Sequence, residues 1–143
     1  MIFQLVYTST ALEVPGGEAD HQILTTSLFN NAERHITGFL LRQQDSYMQL
    51  LEGDELDVRA LFRCIEKDQR HHRISLAGCC QRKQRCFPEW SMGFRHLDTS
   101  PKEAPLLLTR SPQQRCRLLA EFLFDIAWPG LTERARMAIP AGR

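Results

Sequence analysis

The sequence predicts an α+β fold: a ferredoxin-like βαββαββ sandwich with two helices on one face of a single sheet, followed by a C-terminal helical extension. Three observations predict it. Five short runs, at residues 2–9, 36–42, 46–52, 74–80 and 90–94, have strand length and are rich in apolar and β-branched or aromatic residues. Two segments between them, 18–31 and the one that follows Asp54, repeat apolar residues at helical spacing. Each strand offers an apolar face that a layer of helices on one sheet would bury. A doubly wound sheet would need more helices, and a barrel fewer.

Taken in order, residues 2–9 (IFQLVYTS) set Phe3, Leu5 and Tyr7 on one face and Ile2 and Val6 on the other, which places this strand mid-sheet. Pro15-Gly16-Gly17 marks a loop, and Ile23, Leu24 and Leu28 give the first helix its stripe, with Asn30-Asn31 expected to end it. The strands ITGFLLR (36–42) and SYMQLLE (46–52) flank a hairpin loop at Gln43-Gln44-Asp45. Asp54 is a candidate cap for a helix carrying Val58, Leu61, Phe62 and Ile65, and a polar run follows from Lys67 to Arg73. ISLAGCC (74–80) is the fourth strand and WSMGF (90–94) the fifth. Pro101, Pro105 and Pro112 punctuate the next connection. Ser111-Pro112 then reads as an N-cap and first-turn pair for a helix over 113–127, closed by Pro129-Gly130. Its stripe of Leu118, Leu119, Phe122, Leu123 and Ile126 needs cover, from the open face of its own sheet or from a partner.

With 143 residues the chain holds one core rather than two. Its 43% hydrophobic and 24% charged residues suit a soluble globular domain, and a net charge of +1 supplies no global field for nucleic acid or an anionic membrane. The cysteines, at 64, 79, 80, 86 and 116, are odd in number and form no C-x-x-C pair, which suggests free thiols in a reducing compartment. No stretch approaches bilayer length and no signal-peptide pattern opens the chain, so a cytoplasmic location is expected. His71-His72 reads as a solvated helix end, Cys79 and Cys80 point to opposite faces of their strand, and the run Gln81 to Arg85 reads as a solvated strand end.

The first and third strands of such a sheet are central neighbours. Tyr7 shares a face with Leu5, and Gln49 with Leu51, so a phenol and an amide meet in an apolar layer. Buried polar groups require partners. The pair is either a structural hydrogen bond or is aimed at a ligand.

The strings LVYTS (5–9), NNAERHITG (30–38), MQLLEG (48–53), DQRHH (68–72) and FPEWSMGF (87–94) resemble, in order and spacing, the BLUF family, sensors of blue light using FAD. The resemblance runs from about residue 2 to residue 95. It implies a photosensor domain over 1–97, with 98–143 as linker and helical extension for signal output or oligomerisation. It implies noncovalent FAD, with FMN or riboflavin as alternatives. Tyr7 then resembles the electron donor, Gln49 the amide bridging that tyrosine and the flavin, and Asn31, with Asn30 beside it, the group that bonds the pyrimidine edge. Trp90 and Met92 resemble a pair on the last strand that responds to light. Ile23, Ile36 and Ile65 would wall the ring, and Asp68 and Arg70 lie where the family meets the ribityl–phosphate end. Many members have arginine where Cys64 precedes Ile65; Arg63 stands one place early, and Cys64 is expected to be a packed, inert thiol. No output enzyme is fused to the sensor, so signalling through a partner protein, by a homo-oligomer, is implied. The competing expectations are a ferredoxin-like interaction module without flavin, and a small hydrolase of acylphosphatase type. The hydrolase is disfavoured because no Gly-rich anion loop stands beside a catalytic arginine.

Overall fold

The computed structural model describes residues 1–12, 14–68, 71–97 and 110–128, apart from the side chains of Leu24, Leu28, Phe29, Asn30 and His71. The elements are β1 (Ile2–Ala11), α1 (Glu18–Glu33), β2 (Thr37–Gln43), β3 (Ser46–Gly53), α2 (Glu55–Glu66), β4 (His71–Arg82), β5 (Gly93–Leu97) and α3 (Pro112–Ala127). The strands form one sheet in the order β4-β1-β3-β2-β5, antiparallel except where β5 runs parallel to β2. This is the expected α+β architecture with its C-terminal helix.

β1 lies between β3 and β4 because it is apolar on both sides. Phe3, Leu5 and Tyr7 join Ile23 of α1 and Val58 of α2 in one core layer, while Val6, Phe39, Leu41 and Leu50 form the opposite layer with α3. α2 starts where Asp54 accepts from the Leu56 and Asp57 amides. At α3, Gln114 N–H donates to Ser111 Oγ at 3.2 Å and the Gln114 side chain accepts from Ser111 N–H at 3.1 Å, with Pro112 in the first turn. Of the two covers open to the α3 stripe, its own sheet is the one used: Cys116, Leu119, Ala120, Leu123, Phe124 and Ile126 are buried there. The fit at its first turn is close. A Cβ on Gly78 would stand 2.3 Å from the Pro112 carbonyl oxygen, so a side chain on β4 at that point would lift the helix.

Several boundaries differ from expectation, three of them by enough to move named residues between elements. α1 does not end at Asn30-Asn31 but continues to Glu33, and His35 takes the left-handed conformation (φ 53°) while Ile36 N–H returns to the Asn31 carbonyl. β4 begins at His71 rather than Ile74, so His71-His72 opens a strand instead of closing a helix. Its backbone pairs with β1 from Ala11 back to Ile2, and an edge strand needs no apolar alternation to do so. β5 begins at Gly93 rather than Trp90, where pairing with Phe39 of β2 starts. Pro101, Pro105 and Pro129-Gly130 lie outside the described residues. Among those described, no helix is long and apolar enough to cross a membrane.

Candidate functional site

Tyr7 and Gln49 face each other directly in the β1–β3 ladder and are both buried. The Tyr7 hydroxyl donates to Gln49 Oε1. Gln49 Nε2 donates in turn to Met92 Sδ at 3.2 Å. The tyrosine ring leans on Phe62 of α2, 5.5 Å between centroids. Burial drives the Tyr7 pKa well above its ordinary value, and the nearby charge of Asp68 pushes it the same way, so the phenol keeps its proton.

Asn31 sits in the last turn of α1, also buried. Its Nδ2 donates to the Ser91 carbonyl at 3.1 Å, whereas its Oδ1, equally buried, has no hydrogen-bond partner among the described residues. An orphaned acceptor of this kind costs roughly 1–3 kcal/mol unless something donates to it. The imide N–H on the pyrimidine edge of a flavin is such a donor, and the residues present fit that group. Ile23 and Ile36 are buried in the same layer and Ile65 packs partly against it. Asp68 follows α2, half-buried, on the side from which it acts on Tyr7. Cys64, expected as a packed thiol, is exposed, as is Arg63. Arg70 and the Asn30 side chain lie outside what the structure describes.

Trp90 and Met92 are corrected in position: both precede β5, in the turn leading to it. They part to opposite sides of the sheet. Met92 is buried beside Gln49, while Trp90 stacks on Trp128 at 4.7 Å and on Phe87 at 5.7 Å, on the α3 side. Gly93 makes this possible, since a Cβ there would come within 2.2 Å of the Trp90 ring. Trp90 carbonyl accepts from Gly38 N–H at 3.2 Å, and Ser91 carbonyl from Asn31. The segment that carries Met92 is therefore bonded to both amide side chains of the site.

Two buried polar clusters escaped the sequence reading. Arg42 Nη1 donates to Asp20 Oδ1 at 2.7 Å and to the Tyr47 hydroxyl at 2.9 Å, tying α1 to β2 and β3. Glu52 accepts from the Cys86 and Phe87 amides at 2.6 and 2.8 Å and from Gln4 Nε2 at 2.8 Å, anchoring the start of the Trp90 segment to β3. Burial raises the Glu52 pKa, although these donors and Arg85 act against it. The available signal was a charge inside an apolar strand, a rare placement without a partner.

The chain is similar in sequence and in fold to known proteins. The chain resembles the ground-state structure of BlsA with TM-score 0.70 and 25% identity, over 98% of this chain and 100% of that one. It resembles the dark-state structure of BlrB, a BLUF protein, with TM-score 0.64 and 26% identity, over 95% of this chain and 91% of that one. It is 25% identical to the photoactivated adenylate cyclase subunit alpha of Euglena gracilis over 92% of its own length, and spans only 17% of that relative. The family model of the sensors of blue light using FAD matches residues 2–93. With that match over most of the chain, and with an aligned phenol, amide and orphaned asparagine oxygen in one buried layer, the protein belongs to the BLUF family of blue-light sensors.

Proposed function

We propose that Tyr7, Gln49 and Asn31 serve the light response of this chain as donor, switch and anchor, and that the segment from Phe87 to Met92 carries the signal to α3. The observation that carries this reading is the continuous hydrogen-bonded line Tyr7–Gln49–Met92. Bound FAD supplies a chromophore that absorbs blue light and, once excited, an oxidant able to take an electron from a phenol. Tyr7 holds its proton firmly in the dark; after loss of an electron the phenol becomes a strong acid, and its proton can move along the bond to Gln49 Oε1. An amide that has rotated, or has become its tautomer by taking a proton on oxygen and passing one on from nitrogen to the group that took the electron, presents the opposite pattern of donor and acceptor to its neighbours. The bond from Nε2 to Met92 then changes. Return of the electron and proton to Tyr7 restores the dark arrangement, with no covalent bond made.

Output follows from the packing. Trp90 is held two residues from Met92 and stacks on Trp128 at the end of α3, so a shift of Met92 reaches the helix through one short segment. In this reading residues 1–97 are the sensor and 98–143 the linker and output extension. The chain signals by protein–protein contact rather than by catalysis of its own, and assembles as a homo-oligomer. The five free cysteines are consistent with a cytoplasmic setting.

The test is spectroscopic. The purified chain is expected to be yellow, and blue light to red-shift its flavin absorption reversibly; a colourless chain that takes up no added flavin would refute the reading. Asn31→Leu is expected to weaken flavin binding about tenfold to a hundredfold, the equivalent of the roughly 1–3 kcal/mol carried by a buried hydrogen bond that loses its partner. Titration followed by quenching of flavin fluorescence measures this.

A further inference from the structure

We propose that the cavity where the end of β4 meets α3 binds a small oligophosphate anion, on the sheet face away from the Tyr7–Gln49 pair. The run Gln81 to Arg85 has no part in the photosensor site. The fold brings its Arg82, Lys83 and Arg85 together with Arg117 of α3 around a cavity of about 570 Å³, whose wall also includes Gln84 and Cys86. That size is ordinary for a small-molecule site. No carboxylate is among the described residues lining it, although the chain as a whole is nearly neutral at +1. The positive charge is therefore a local concentration, and like charges gathered from two parts of the chain oppose folding unless an anion sits among them.

Two further observations point the same way. Arg82 Nη1 is shielded from solvent and has no hydrogen-bond partner among the described residues. A guanidinium N–H without an acceptor is costly, so Arg82, whose side chain lines the cavity, would gain by turning that nitrogen to an anion held there. Arg85 is held in place, donating from Nη1 to Thr37 Oγ1 and to the Glu52 carbonyl, both at 2.9 Å. A guanidinium fixed in advance loses little freedom on binding.

Phosphate is favoured over other anions by shape. Guanidinium forks suit the several oxygens of a phosphate chain, and the site is a concavity rather than a flat strip for an acidic peptide. No aromatic side chain among the described residues lines it to stack a base, so the phosphate chain itself is what the site recognises. The wall at Cys86 continues as the segment to Met92, and Phe87 stacks on both Trp90 and Trp128. An anion here bears on the same segment as Gln49. That coupling rests on the photosensor reading, whereas the binding itself does not.

The experiment is calorimetric titration of the full chain with inorganic tripolyphosphate, alongside a short single-stranded DNA and an oligoglutamate peptide. Saturable binding of tripolyphosphate below ~1 mM is expected, weakened at least about tenfold by Arg82→Ala or Arg117→Ala and unchanged by Arg59→Ala on the other sheet face. Arg117 and Lys83 are exposed, so Arg117→Ala and Lys83→Ala keep the test decisive should Arg82→Ala fold poorly. Absence of binding, binding insensitive to these substitutions, or tighter binding of the DNA or the peptide would each overturn the proposal. In the flavin-loaded chain tripolyphosphate is expected to change the rate of dark recovery; an identical rate at saturation would remove the coupling and leave the binding result standing.

Discussion

Gln49→Leu and Tyr7→Phe are expected to keep the flavin and lose the light-induced red shift entirely. Leucine matches the volume of glutamine closely enough to fill the same place between β1 and β2, but it carries neither donor nor acceptor. The Tyr7 hydroxyl then has no Gln49 Oε1 to receive its proton, and Met92 Sδ loses the Nε2 donor. Phenylalanine at position 7 keeps the ring against Phe62 and removes the proton and the readily lost electron together. Each change leaves one polar group of the pair without its partner in a buried layer, so each should also cost about 1–3 kcal/mol of stability in the dark. Absorption spectra before and after blue light, with denaturant unfolding of the same samples, give both numbers. A normal shift in either variant would remove Tyr7 and Gln49 from the roles of donor and switch. Loss of flavin from both would instead assign the pair to binding.

The parts of this site that could be read from sequence are those set by short-range rules. Alternation alone places Tyr7 with Leu5 and Gln49 with Leu51, and the ladder brings them opposite each other. Asp54 and Ser111 are visible as caps because a cap is a local arrangement of one side chain and the next few amides. The end of α1 was not visible, since the asparagine pair that can take the left-handed conformation remained helical and His35 took it instead. Trp90 and Met92 look like strand residues by composition. Their separation to opposite faces depends on Gly38 N–H bonding the Trp90 carbonyl and on the bare Cα of Gly93 beneath the indole. Those are contacts between distant parts of the chain, and no periodicity encodes them. The same holds for Arg42: its strand was legible, but its partner Asp20 lies on a helix that precedes the strand.

Arg42→Met is expected to destabilise the chain by ~3–5 kcal/mol, the range for leaving one partner of a buried ion pair unmatched. Arg42 and Asp20 are 0% and 4% exposed, so solvent does not screen the charge left behind. Asp20 sits in the first turn of α1, where its Oδ2 also accepts from Gly16 N–H at 2.8 Å, and Tyr47 donates to its Oδ1. Burial and the hydrogen bond to Asp20 hold the Tyr47 phenol protonated as that donor. With the guanidinium gone, two neutral donors face a buried carboxylate, and α1 loses a charged tie to the sheet. At this chain length the midpoint of thermal unfolding should fall by about 10 °C or more. The double change Asp20→Leu with Arg42→Met should recover at least half of the loss, because no uncompensated charge remains, although the Gly16 N–H and the Tyr47 hydroxyl both lose Asp20 as their acceptor. A single variant that unfolds within about 1 kcal/mol of the parent would mean that water reaches the pair. Since α1 also carries Ile23 and Asn31, the loosened helix should bind flavin more weakly although no residue touching the ring has changed, which separates the scaffold's share of cofactor affinity from that of Asn31 itself.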